Sequence, residues 1–250
     1  DISSLRQIAY GASPITEGVL KEAFEKFPNV AFLQAFGQTE LSPVATILPT
    51  DYHVFDGPKA GKLRSAGRAT RVCEIRIVDD AHQPLPSGEV GQIAVKGPVT
   101  MLGYWNQPEV TAKTIVDGWV MTGDAGYMDA DGFVFLMDRV KDMIVSGGEN
   151  VYSAEVENAL SQHPDVATSA VIGIPSDQWG ESVHAIVILH PGAGVTAEEL
   201  QAHCHGLIAG YKCPRSVEFR QEPFPLSGAN KVLKTELRKP YWQDQDRQIS

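Results

Sequence analysis

The sequence predicts a chain of mixed class, α/β plus α+β: a partial α/β layer, a small β-barrel-like subdomain, and a C-terminal α+β domain. Three observations predict it. A strand, an amphipathic helix and a second strand follow one another over residues 5–40. From about residue 66 to 137 the apolar spacing drops to a period of two, with turn residues between the runs. After Asp138, helical and strand patterns alternate again. The expected divisions are therefore 1–65, 66–137 and 138–250.

Ile8 to Tyr10 reads as a short strand. Val19, Leu20, Ala23, Phe24 and Phe27 then share one side of a helix over 17–27, and Val30 to Ala35 is a second buried strand. In the middle region Cys73, Ile75 and Ile77 alternate with Glu74 and Arg76, as a half-buried strand requires. Ile93 with Val95, Trp119 to Met121, and Phe133 to Met137 repeat the pattern. They are separated by Asp79-Asp80, Pro86-Ser87-Gly88 and Asp129-Ala130-Asp131-Gly132. Beyond Asp138, Ser153 is placed to cap a helix running to Gln162, with Glu155 and Glu157 near its positive end. Val166 to Ile174, Val183 to Leu189 and Ser216 to Phe219 read as strands. Thr196 and Glu199 have capping-box spacing and open a helix to Ala209, and a last helix covers 235–242.

The 250 residues are 43% apolar and 21% charged, a composition that supports packed cores. A net charge of -10 argues against nucleic acid and anionic membranes as partners. No apolar run is long enough to span a bilayer. Three scattered cysteines give neither a disulfide framework nor a metal pattern, so the expected compartment is cytoplasmic. The chain opens on Asp1 without an initiator Met, which reads as part of a longer protein.

Six segments carry candidate chemistry. Tyr10-Gly11-Ala12-Ser13 follows a strand, and its small residues let a ring or phosphate approach the backbone, although an ordinary strand-to-helix turn reads the same way. Gln34-Ala35-Phe36-Gly37-Gln38-Thr39-Glu40 sets an aromatic, a glycine, a hydroxyl and a carboxylate at a strand end. Phe36 suits stacking, Thr39 suits a phosphate oxygen and Glu40 suits Mg2+; a core Phe before a capped helix fits the same letters. Gly88 to Gly97, with Gly103-Tyr104-Trp105, reads as scaffold. Asp124, in Thr122-Gly123-Asp124, can accept from two ribose hydroxyls. Asp138 to Asn150 is a charged linker in which Arg139 offers a donor fork and Ser146-Gly147-Gly148 leaves backbone bare. Pro225 to Lys234 places Lys231 in a Gly/Ser loop, where its ammonium can meet developing negative charge or simply face solvent.

In this order and spacing the six segments resemble the adenylate-forming superfamily of acyl- and aryl-CoA synthetases, luciferases and peptide-synthetase adenylation domains. The phrase Val145-Ser146-Gly147-Gly148-Glu149-Asn150-Val151-Tyr152 is most similar to the acyl-CoA synthetase branch. The resemblance implies the fold of that superfamily, with a mobile C-terminal domain, and an acid–thiol ligase: ATP and a carboxylic acid, fatty or aryl, form an acyl-adenylate whose acyl group passes to coenzyme A. It implies that Gly11, Ala12, Ser13, Ala35, Phe36 and Gly37 line the adenine and acyl site. Thr39 would contact phosphate, Glu40 would bind Mg2+, and Asp124 with Arg139 would hold the ribose. Asp138 would be the hinge, Lys231 the lysine of adenylation, and Ser146, Gly147 and Gly148 would face the pantetheine.

Phe36 stands where Tyr is commoner, Asn230 where Gly usually precedes the lysine, and Ser153 where Pro is frequent. The family's Ser/Thr/Gly-rich phosphate loop is not in the chain, so the resemblance covers a C-terminal half. Two other readings stay open: a catalytically incomplete nucleotide-binding fragment, and an adenylating enzyme that loads a carrier protein. A homo-oligomer is compatible with all three.

Overall fold

The computed structural model describes residues 2–12, 15, 17–228 and 231–242. The chain divides into two compact units, Asp1–Val140 and Lys141–Ser250.

In the first unit, β1 (Gln7–Gly11), α1 (Glu17–Lys26) and β2 (Ala31–Phe36) form the expected strand–helix–strand step. β1 and β2 are parallel, with Gly11 opposite Ala35. Two short strands complete a sheet of order β1-β2-β3-β4: β3 (Thr46–Leu48) and β4 (Arg68–Ala69), both antiparallel to their neighbours. The layer is therefore mixed rather than wholly parallel. Neither short strand has enough residues to display a period.

The second sheet is antiparallel: β5 (Glu74–Val78), β6 (Gly91–Lys96), β7 (Ile115–Val116), β8 (Trp119–Met128) and β9 (Val134–Arg139). Register shifts between Gln92 and Ala94, and between Ala125 and Gly126, bend it into a half-barrel. A short helix, α2 (Pro108–Thr114), precedes β7 and starts on a proline, which has no amide hydrogen to leave unbonded there. Phe36, Leu41, Ala45 and Ala66 from the first sheet region share one core with Ile77, Ile93, Val95, Val120 and Val134 from the second. The backbone continues this union, since Ala66 N–H donates to Val134 O at 2.7 Å and Val134 N–H to Gly67 O at 2.9 Å. The expected division at 65/66 thus falls inside this unit.

The second unit holds β10 (Ile144–Ser146), β11 (Glu149–Val151), α3 (Ser153–Leu160), β12 (Val166–Ser176), β13 (Gly180–Leu189), α4 (Ala197–His205), β14 (Ser216–Phe219) and α5 (Lys234–Trp242). Its sheet order is β11-β10-β13-β12, with β14 added parallel to β13. One face buries Val156, Leu160, Val171, Ala185, Val187 and Leu200 under α3 and α4; Ile172, Ile186 and Leu237 form a second core under α5. The capping box is present: Thr196 accepts from Glu199 N–H and the Glu199 carboxylate accepts from Thr196 N–H. The helix it opens stops at His205 rather than Ala209, where the Gly206 N–H is shared between Ala202 O at 3.3 Å and His203 O at 3.1 Å. Ser153 departs from expectation. It is the first residue of α3 rather than its cap, and its hydroxyl accepts from Lys234 instead.

Candidate functional site

The first unit gathers the small-residue segments at one edge of its mixed sheet. Because β1 and β2 run parallel and in register, Gly11-Ala12 and Ala35-Phe36-Gly37 leave the sheet side by side at the strands' C-terminal ends. That is where open α/β sheets bind ligands. The backbone here is tight. A Cβ on Gly11 would sit 2.1 Å from Ala35 O, and one on Gly37 would sit 1.9 Å from Pro43 O, so both positions need a residue without a side chain. Ala12 takes a left-handed φ of 64°. Ser13 lies outside the described residues. Phe36 is 9% exposed and belongs to the core, so it offers a ligand one edge of that core rather than a free-standing ring.

Thr39 and Glu40 open a short 3-10 turn, Thr39–Leu41, just past β2. Thr39 is exposed and Glu40 half-buried. The loop after β6 holds Glu40 from two sides: Tyr104 OH donates to Glu40 Oε1 at 2.6 Å, and Met101 N–H donates to Glu40 O at 2.8 Å. The carboxylate pushes the Tyr104 phenol pKa up, with burial adding to the effect. Gly103-Tyr104-Trp105, read as scaffold in the sequence, is thus also the support of Glu40. The Gly-Tyr pair alone gave no sign of a partner so far away in the chain.

Asp124 and Arg139 are register partners on β8 and β9, and Arg139 Nε lies 3.0 Å from Asp124 Oδ1. Thr122 fixes the approach to Asp124: its Oγ1 donates to Ile93 O at 2.8 Å and accepts from Asp124 N–H at 3.1 Å. Asp138, next to Arg139 at the end of β9, accepts from the Arg139 N–H at 2.7 Å.

In the second unit, Ser146-Gly147-Gly148 forms the turn between β10 and β11, with φ of 64° at Gly147 and 86° at Gly148. Two residues that the sequence did not single out border it. Gly147 N–H donates to Trp179 O at 2.8 Å, and a Cβ at Gly147 would meet the Trp179 ring at 2.8 Å. Arg215 donates to Ser146 Oγ at 2.9 Å while its guanidinium lies 4.4 Å from the Trp179 ring centroid.

Lys231 sits on one arm of a small hairpin closed by a Leu226–Val232 bridge; Ser227 N–H donates to Lys231 O at 2.8 Å and Leu233 N–H to Pro225 O at 2.8 Å. Ala229 and Asn230 lie outside the described residues. The Lys231 side chain is exposed, and its ammonium has no hydrogen-bond or ion-pair partner among the described residues. Its neighbours differ, for Lys234 pairs with Glu157 at 2.7 Å and Lys239 with Glu236 at 2.7 Å. No group of three or more His, Cys, Asp or Glu side chains suited to a metal occurs among the described residues. No helix among them is long and apolar enough to cross a membrane.

Known proteins share this arrangement. The family model described as AMP-binding enzyme matches residues 1–105, and that of the AMP-binding enzyme C-terminal domain matches 155–231. The fatty acid–[acyl-carrier-protein] ligase ScoC of Streptomyces coeruleorubidus is 40% identical over 250 residues, which are 100% of this chain and 47% of that protein. Feruloyl-CoA synthase of an Amycolatopsis species is 41% identical over 241 residues, 96% of this chain and 47% of that protein. Among solved structures, the o-succinylbenzoate CoA synthetase MenE of Bacillus subtilis, in complex with its acyl-adenylate intermediate, superposes with a TM-score of 0.84. It is 36% identical, with 94% of this chain and 46% of that one covered. The chain spans about half the length of the curated relatives it matches. With its mixed sheet, half-barrel and C-terminal α+β unit in the order those relatives share, the chain belongs to the adenylate-forming family of AMP-binding enzymes.

Proposed function

We propose that the chain is part of an acid–thiol ligase that joins a carboxylic acid to ATP as an acyl-adenylate and then passes the acyl group to the thiol of coenzyme A. The observation that carries the reading is the parallel pairing of β1 and β2, which brings Gly11-Ala12 and Ala35-Gly37 to one edge. Names of relatives support it: one acts on a fatty acid, another forms feruloyl-CoA, and a third is solved with an acyl-adenylate.

In this reading the adenine lies against the bare backbone at Gly11, Ala12 and Gly37 and the exposed edge of Phe36. Asp124 accepts from the ribose hydroxyls, with Arg139 as the neighbouring cation. Thr39 donates to a phosphate oxygen. The hard carboxylate of Glu40 suits Mg2+, which keeps several waters and takes one or two carboxylates beside the substrate's phosphates; a single held carboxylate fits that need. When bound, the ion neutralises phosphate charge. The acid's carboxylate oxygen attacks the α-phosphorus, the bond to the bridging oxygen breaks, and pyrophosphate leaves. Lys231 brings its uncommitted ammonium to the charge that builds there.

The second unit then turns about Asp138 and withdraws Lys231. The turn at Ser146-Gly147-Gly148 lines the path of the thiol, with Arg215 and Trp179 offering a cation and a ring to a phosphate-bearing nucleotide. The thiol attacks the acyl carbon, its proton passes to solvent, and AMP leaves. One domain in two positions thus serves two half-reactions.

Acid-dependent exchange of labelled pyrophosphate into ATP, followed by AMP release on adding coenzyme A, tests the reading across a panel of fatty and aryl acids. Exchange without any acid dependence would refute it. The 40% identity to a ligase named for an acyl-carrier protein favours one second reading, in which the acceptor is a carrier's phosphopantetheine. A carrier that accepts the acyl group while free coenzyme A does not would select it.

A further inference from the structure

Arg238, outside the six segments singled out above, ties the first residues of the second unit to α5. It lies on α5, one turn beyond Lys234. Its Nη1 donates to Lys141 O at 3.2 Å and its Nη2 to Asp142 O at 3.1 Å, while Nη1 also stands 3.5 Å from Asp142 Oδ1. The side chain is 12% exposed, and its Nε is buried without a partner among the described residues, so the terminal nitrogens alone make the attachment. The two carbonyls belong to the first two residues of the second unit, within the 3-10 turn Val140–Asp142 that precedes β10.

We infer that Arg238 is a positioning residue that fastens the exit of the linker to the helix next to Lys231, so that any swing of the second unit is taken up before Lys141 and reaches the lysine without slack. The inference rests on the ligase reading for its catalytic consequence, but the fastening stands on the geometry alone.

Three features carry it. A short irregular turn has few bonds of its own, and a planar fork sets two nitrogens at a fixed spacing for two successive carbonyls, whereas a lysine ammonium offers its three donors from a single point. The helix is pinned a second time on the same face, because Lys234 pairs with Glu157 of α3 and donates to Ser153, the residue that failed to act as a cap. Leu237, buried between these two cations in sequence, anchors α5 on the sheet. Lys231 lies just ahead of this doubly pinned helix, on a hairpin whose Leu233 bonds back to Pro225. Lys239 provides the contrast. It is 64% exposed and, among the described residues, pairs only with Glu236 of its own helix, so it is the natural control.

Hydrogen exchange and the two half-reactions test this together, in Arg238→Ala, Arg238→Lys and Lys239→Ala. Exchange at the amides of 141–143 is expected to quicken about tenfold in both Arg238 variants and in neither case spread over the core strands. The kcat of pyrophosphate exchange and of thioester formation from supplied acyl-adenylate should each fall about tenfold or more, as a misplacement near 1 Å implies. The KM for ATP, held by the first unit, should stay within about twofold. Lys239→Ala should match the wild type in every readout. Unchanged exchange at 141–143 would overturn the inference, as would wild-type half-reactions in a variant whose turn had loosened. Full rescue by Arg238→Lys would overturn it too, because charge rather than the fork would then be sufficient. If Arg238→Ala unfolds the unit, Arg238→Lys carries the same comparison with charge and bulk retained. A wild-type protein without acid-dependent exchange would sink the ligase reading, and the hydrogen-exchange arm would still decide the fastening.

Discussion

The two units hold their charged candidate residues differently. In the first, every such side chain that is described and polar, apart from the exposed Thr39, is tied to a neighbour: Glu40 to Tyr104, Asp124 to Arg139, and Asp138 to the amide of Arg139. Its candidate glycines Gly11 and Gly37 are wedged against the carbonyls of Ala35 and Pro43. In the second, Ser146 and Gly147 are held by Arg215 and Trp179, but Lys231 rides a hairpin with its ammonium uncommitted among the described residues, while its neighbouring cations Lys234, Arg238 and Lys239 are all engaged. On the proposed ligase reading, the difference is a division of labour. A nucleotide needs a preorganised cradle whose groups do not move when charge develops. A charge that must arrive for one step and leave for the next cannot be bound to a partner it would have to break from each time.

The comparison breaks most sharply at the wedged backbone. Gly37→Ala forces a Cβ to within 1.9 Å of Pro43 O, and should lower stability by about 3 kcal/mol, read by urea unfolding. A loss below about 1 kcal/mol would mean that the cradle yields, contrary to its description as preformed.

Asp124→Ala sharpens the contrast through function. The KM for ATP should rise about tenfold or more while the melting temperature hardly moves, since Arg139 is 42% exposed and an ion pair so close to solvent contributes little. A large loss of stability with unchanged KM would make the pair structural.

Tyr104→Phe is gentler. One hydrogen bond to a carboxylate is lost, worth about 1.5–3 kcal/mol at most, and the concentration of Mg2+ giving half-maximal activity should shift while the fold persists. No shift would separate Glu40 from the ion.

The smallest effect is acid sensitivity, and it is shared by both units. Burial pushes the imidazole pKa of His184 down from its usual 6.5, outweighing the nearby Glu218, and burial does the same to His53 in the first unit. The unfolded chain therefore binds protons that the folded chain refuses. Stability should decline as pH falls below 6.5, and level off beneath the lower folded values. Replacing His184 with Gln should flatten that slope in part; a slope that steepened would contradict the burial argument.

Much of the fold was legible because its long elements advertise themselves. β5 shows apolar alternation, β12 and β13 are long apolar runs, and Thr196 with Glu199 announced α4. What was not legible is short or depends on distant residues. β3, β4, β7, β10 and β11 have two or three residues each, too few for a period, and α2 has seven. Ser153 resembled a cap because local spacing cannot reveal a lysine 81 residues away that claims its hydroxyl. The site divides along the same line. The small-residue turns, Glu40, Asp124 and Lys231 were reached through the order of the six segments and the resemblance it carries, since each alone reads as an ordinary turn or surface charge. Their supports were not, since Tyr104 meets Glu40 across 64 residues and Arg215 meets Ser146 across 69.

The central claim is that Lys231 serves one half-reaction and not the other. It is tested most directly by Lys231→Ala in the full-length protein, with each half-reaction measured separately. Acid-dependent pyrophosphate exchange should fall about a hundredfold or more, the cost of removing one charge-stabilising donor, while thioester formation from supplied acyl-adenylate stays within about threefold of wild type. Equal losses in the two half-reactions, or none in the first, would contradict it.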